Sequence, residues 1–159
     1  MKSADVANQL IAHAMAKRLI PNVVDNKTAK TISLYSGRIE LFDPLIHPLV
    51  RLVQKHHRVS TAPPSYATVE QKPEGHGWHT DTGNSGHMQW CVLTASVLLT
   101  PPSSFSGGEF FYRDENSPYV NYRDMMIYTS DVEHCVRPHT GERRVLLMFF
   151  KGDPIEDSK

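Results

Sequence analysis

The sequence predicts one β-dominated α+β domain, a double-stranded β-helix (jelly roll) over about residues 65–150, with helices over 1–60 flanking it on the N-terminal side. Three observations predict it. From Ser65 onward, short apolar runs recur with Gly, Pro and Asn turns between them, the texture of an antiparallel double sheet. Helical periodicity is confined to the chain before about residue 60. The length, 159 residues, suits a single domain that buries about two-thirds of its extended surface.

The elements follow in order. Residues 4–19 read as an amphipathic helix, with Ser3 as cap, Val6, Leu10, Ile11, Ala14 and Met15 on one stripe, and Pro21 stopping it. Residues 31–42 mix β-prone runs with a turn at Gly37. A second helix falls within 44–57. Pro48 removes a hydrogen bond from any helix interior, so the continuous helix is expected to begin there and to carry Leu49, Leu52 and Val53 inward. Strands are then expected at Tyr66 to Gln71, Trp90 to Thr100, Glu109 to Arg113, Met125 to Tyr128, Val132 to Arg137 and Arg143 to Phe150, with loops at 82–87, 101–106 and 114–122. The strand from Trp90 is too continuously apolar to face water on one side.

Composition excludes several classes. The 17 basic and 17 acidic residues cancel to a formal net charge of zero. That argues against the broad cationic face of a tight non-specific nucleic-acid binder, though not against a local patch. No apolar run approaches the roughly 20 residues of a membrane span, and the amino terminus lacks a signal-peptide core. Cys91 and Cys135 fall inside apolar runs and read as buried free thiols of a reducing compartment, so a cytoplasmic location is expected.

The chemistry concentrates in Gly77-Trp78-His79-Thr80-Asp81, in His134 and in Arg143-Arg144. His79 and Asp81 are two apart, so on an extended strand both leave the same face. A third ligand must come from a distant strand folding back, and His134 sits on one. Two histidines and one carboxylate with open positions make the facial triad of non-haem Fe(II) oxygenases. Arg143, on the next strand, offers a planar cation able to grip a carboxylate with two hydrogen bonds. A single His-x-Asp is a weak signal. The ordered features around it carry the reading: Gly107-Gly108-Glu109, then Tyr128-Thr129-Ser130 through His134 to Pro138, then Gly141-Glu142-Arg143.

In this order and spacing the sequence resembles the prolyl 4-hydroxylase-like branch of the Fe(II)/2-oxoglutarate-dependent oxygenases, over roughly residues 66–150. The resemblance implies iron ligation by His79, Asp81 and His134 and a salt bridge from Arg143 to 2-oxoglutarate. It also implies Fe(II), 2-oxoglutarate and O₂ as the reacting set, with stimulation by ascorbate, and hydroxylation of a C–H bond, a peptidyl proline being favoured. A peptide or protein substrate is the expected partner. The chain departs from the family pattern in three places. Gln71 stands near the place of a tyrosine before His-x-Asp, Leu98 replaces a second tyrosine, and the turn Pro138-His139-Thr140-Gly141 is one residue short, which leaves Arg144 as the alternative to Arg143.

Trp78, Asn84, His87, Trp90, Arg113 and Tyr119 are the candidates for lining the substrate entrance. Other readings weigh against this one. A zinc hydrolase on His76, His79, Asp81 and His87 leaves His134 and Arg143 unexplained. A catalytically silent jelly-roll module conflicts with the intact triad. Nucleic-acid repair on the same fold calls for a second arginine where this chain has Phe149. Hydroxylation of a free amino acid or other small molecule stays open as the alternative.

Overall fold

The computed structural model describes residues 41–82, 88–120, 122 and 124–153. The helix expected over 4–19, most of the β-prone run at 31–42, and the entrance candidates Asn84 and His87 lie outside the described residues.

The helix α1 (His47–His56) follows a turn in which the Asp43 carbonyl accepts from the Ile46 and His47 amides and the Asp43 carboxylate accepts from the Leu45 amide. Pro48 thus falls at the second helical position, where no helical partner is lost. Leu49, Val50 and Val53 are buried, whereas Leu52, expected to point inward, is half exposed because Val50 takes that place on the inner stripe.

Ten strands are described: β1 (Val59–Ser60), β2 (Tyr66–Glu70), β3 (His76–His79), β4 (Cys91–Leu98), β5 (Phe105–Gly107), β6 (Phe110–Tyr112), β7 (Met125–Thr129), β8 (His134–Val136), β9 (His139–Gly141) and β10 (Val145–Gly152). The large sheet is antiparallel throughout. β10 is central, with β4 and then β7 on one side and β1 and β2 sharing its other edge. A second sheet runs β3-β8-β6, and β5 pairs with β9.

Strand alternation divides the large sheet into two faces. Ala67, Val69, Leu93, Ala95, Val97, Leu146, Met148 and Phe150 form the core with Leu49, Val50 and Val53 of α1. The opposite face carries Tyr66, Glu70, Ser96, Tyr128, Val145, Leu147 and Phe149 and lines a cavity, whose other wall includes Phe110, His134 and Val136 of the small sheet. Both β-rich layers with a helix packed outside them give the jelly-roll-like architecture that the strand spacing predicts.

Several boundaries differ from expectation for local reasons. β10 begins at Val145, two residues late, because the Arg143 and Arg144 amides donate to the side chains of Gln71 and Thr100 instead of joining the ladder. β8 is shortened to three residues because Val132 closes a turn on the Thr129 carbonyl. Val92 of β4 is half exposed, so that strand does meet water at its start. β5 and β9 arise where loop and turn were expected, pairing over three residues at Gly-rich positions.

Candidate active site

His79, the last residue of β3, is the cross-strand partner of His134, the first residue of β8. Asp81 lies two residues on, where its own amide and that of Thr82 donate to the Ser130 carbonyl at 3.0 and 3.1 Å. Two strand ends and one tethered loop therefore place three side chains together. Asp81 Oδ1 is 3.4 Å from His79 Nε2 and 3.3 Å from His134 Nε2. Among the described residues these three form the group whose ligand atoms all fall within 4.8 Å of one another.

The protons are arranged for a cation. His79 Nδ1 is 2.7 Å from the Gly77 carbonyl and His134 Nδ1 is 2.9 Å from the Val132 carbonyl. A carbonyl only accepts, so each Nδ1 carries the hydrogen in a neutral ring and each Nε2 presents a lone pair inward. Thr94 donates its hydroxyl proton to Asp81 Oδ2 at 2.6 Å, leaving Oδ1 to face the imidazoles. Burial works against ionisation of Asp81, but when protons take the place of a cation on the facing His134 and His79 nitrogens, their hydrogen bonds, with that of Thr94 added, hold its carboxyl well below the usual carboxylate range. Three converging lone pairs repel unless a cation sits among them, so the donor set fits a divalent metal.

The rings are held from behind. His134 is buried, stacked on Phe110 at 5.1 Å with Tyr128 edge-on at 4.9 Å. His76 stacks on His79 at 3.5 Å and an interplanar angle of 15°, and burial together with the neighbouring His79 pushes its pKa down to about 4. His76 is thus neutral near pH 7, but it is not one of the converging ligands. Tyr128, buried and facing Asp81, has its hydroxyl pushed well above the usual range, burial being the larger cause.

The cavity beside the triad measures about 310 Å³. Arg143 opens on it together with Val145 and Leu147, while Leu146 and Met148 point into the core. Arg144 is not in the lining, and its guanidinium reaches toward Glu142 at 3.7 Å. The short turn has therefore not shifted the register. The Arg143 side chain passes under Gly108, where a Cβ would sit 2.5 Å from its Cδ and 2.7 Å from its Nε, and over the Phe105 ring. Burial lowers its pKa to about 10, with Glu109 pulling the other way, so it remains a cation at neutral pH. Its buried Nε has no hydrogen-bond partner among the described residues. The Gly-Gly-Glu motif thus gives the guanidinium room to pass.

Other expected positions fall elsewhere. Gln71, placed near the family tyrosine, turns away from the cavity and accepts the Arg143 amide, and the residues of β2 that do face the cavity are Tyr66 and Glu70. Leu98 is buried and does not line the cavity. Trp78 and Arg113 stack on each other at 4.6 Å and line a separate depression with Phe111, Cys135 and Arg137. Trp90 packs against Tyr66, and Tyr119 lies half exposed against Tyr112. The lining residues Glu70, Lys72, Met88 and Ser96 escaped the sequence reading. For Glu70 one signal was present, a charge in strict alternation with Tyr66 and Thr68. Both cysteines are buried and free, and among the described residues no helix is long and apolar enough to cross a membrane.

Comparison with known proteins bears on the fold and on the sequence. No family model matches the sequence. The PKHD-type hydroxylase YbiX of Shigella sonnei is 31% identical over 96 residues, covering 56% of this chain and 43% of that protein. The chain therefore spans less than half the length of the curated relatives it matches. A Pseudomonas putida prolyl-4-hydroxylase superposes with a TM-score of 0.64 at 16% identity, over 95% of this chain and 88% of that one. A viral collagen prolyl hydroxylase from Paramecium bursaria Chlorella virus-1, solved with 2OG, gives 0.55 at 13% identity, over 95% and 91%. The fold is that of these enzymes, and in sequence the chain resembles the PKHD-type hydroxylases.

Proposed function

We propose that the protein is an Fe(II)- and 2-oxoglutarate-dependent dioxygenase that hydroxylates a C–H bond, with a peptidyl proline as the favoured target. The observation that carries this reading is one cavity holding three convergent lone-pair donors and, opening on the same cavity, an arginine whose buried Nε has no hydrogen-bond partner among the described residues. His79, Asp81 and His134 hold the metal, and Arg143 holds the distant carboxylate of 2-oxoglutarate. Bound iron, with 2-oxoglutarate and O₂, supplies the oxidising chemistry, the cosubstrate leaving as succinate and CO₂. The chain contributes binding, orientation and exclusion of water. Val145, Leu147 and Phe149 dry the floor, Thr94 aims Asp81, and the Gly77 and Val132 carbonyls fix the imidazole tautomers. Buried free thiols and a ferrous ion both suit a reducing compartment, and the cytoplasm is the location proposed. The peptide target rests on the resemblance to prolyl hydroxylases.

Succinate formation by the purified protein tests the proposal. Slow, Fe(II)-dependent turnover is expected without a prime substrate, accelerated more by proline-containing peptides than by free proline or single-stranded DNA. No succinate under any condition, with no metal bound, overturns it.

A further inference from the structure

We infer that Glu70 recognises the prime substrate, and that this substrate presents a cationic N–H donor, an ammonium or guanidinium, beside the C–H bond that reacts. The inference rests on the dioxygenase reading above and names the substrate class of that same site. Glu70 closes β2 and is the register partner of Val145, whose side chain lines the cavity. The Glu70 side chain opens on that same cavity, with the triad and Arg143. It forms no hydrogen bond and no ion pair with any described residue. A partly buried carboxylate inside a cavity, without a partner among the described residues, is costly, and such groups are as a rule paired or hydrogen-bonded.

The charged groups that face it leave this place open. Lys72, on the turn just past β2, attracts it from beyond ion-pair distance, and burial pushes the Glu70 carboxyl up more strongly than Lys72 pulls it down. Asp81 and His79 act on it in opposite senses and more weakly. His76 is neutral near pH 7. Arg143 is held between Gly108 and Phe105 and feels Glu109, not Glu70. Neither occupant of the proposed centre pairs with Glu70. Its oxygens are not among the converging metal donors, and 2-oxoglutarate is itself a dianion. Among the described residues none is left to pair with Glu70, and the place is assigned to the molecule that enters last. A neutral or acidic substrate leaves the carboxylate stranded, and a cationic one pairs it in a poorly hydrated cavity where such a contact is strong.

Two sources share this chemistry, a basic residue next to the target in a peptide and the ammonium of a free amino acid. The test titrates Mn(II)- and 2-oxoglutarate-loaded protein by calorimetry with the amidated, acetylated tripeptides Lys-Pro-Gly, norleucine-Pro-Gly and Glu-Pro-Gly, and with free lysine and free proline. The lysine peptide is expected to bind at least tenfold more tightly than the norleucine peptide. Glu70→Gln should erase that ratio, Glu70→Lys should reverse it in favour of the glutamate peptide, and Lys72→Met should enlarge it by removing the competing cation. Free lysine or free proline binding more tightly than the lysine peptide supports the cation and assigns it to an amino acid. Equal binding of the lysine and norleucine peptides by the unaltered protein, with neither free amino acid binding more tightly than they do, overturns the inference, as does a preference that survives in Glu70→Gln. Calorimetric binding of 2-oxoglutarate to the same Mn(II)-loaded protein separates the two levels. Its absence brings down the dioxygenase reading and this inference together, whereas its presence with no cation preference brings down this inference alone.

Discussion

At the scale of single residues, the hydroxyl of Thr94 and the guanidinium of Arg143 are the side chains whose loss isolates one function each. Thr94 is fully buried and its bond to Asp81 Oδ2 is the support that frees Oδ1. Thr94→Val keeps the shape and removes the donor. Supports of this kind are worth about 10–100-fold in metal affinity, so Mn(II) affinity measured by titration should fall by that amount while the circular dichroism spectrum is retained. Arg143→Ala should weaken 2-oxoglutarate binding by about a hundredfold or more, on the order of leaving a buried anion unpaired. Arg144→Ala, outside the cavity, should change it less than threefold. Calorimetry on the Mn(II)-loaded variants reads both, and the reverse ranking would remove Arg143 from the proposed site.

At the scale of elements, the turn between β5 and β6 decides whether that arginine can be used. Gly108 has φ +70° and lies against the Arg143 side chain. Gly108→Ala therefore meets strain and collision together. A loss of about 1–3 kcal/mol in unfolding free energy is expected from the backbone conformation, read by denaturant titration, with 2-oxoglutarate affinity falling further than stability alone explains. The elements also show what a sequence discloses. His79 and Asp81 were legible because a two-residue spacing has few alternatives on extended chain, and His134 because its strand is apolar around it. The inward assignment of Glu70 over Gln71 was not, since it depends on register against β10, and one residue of slip exchanges the two faces. Trp78 was misplaced for the same reason: on β3 it alternates with His79 and so leaves on the opposite face.

At the scale of the whole molecule, the two faces of the large sheet have divided labour. One is packed with α1 to form the core, the other lines the cavity that the triad of the small sheet faces. The burial side was legible from the alternation of Ala67 and Val69 in β2, whereas β10 is apolar on both faces and the partnership of β5 with β9 depends on Gly conformations that composition alone does not announce. Met148 is fully buried between α1 and the sheet. Met148→Ala should cost about 2–5 kcal/mol, seen as a shift in the denaturation midpoint, with Mn(II) affinity of the folded fraction little changed. Metal should in turn stabilise the protein by mass action, about 2.7 kcal/mol at a hundredfold excess over Kd. Calorimetric melting with and without Mn(II) checks this, and a melting point unmoved by saturating Mn(II) would rule out the triad as a site specific to the folded state.

The ladder between β3 and β8 has only two paired positions, His76 with Val136 and His79 with His134, separated by a register shift. One of those two rungs is made by a pair of the proposed ligands. Seen as a matter of time rather than affinity, this ties the residence of the ion to the breathing of the small sheet. Without metal, the amides of β3 and β8 should exchange with deuterium well before those of β4 and β10. With metal, the two sets should converge, and the ion should escape no faster than that rung opens.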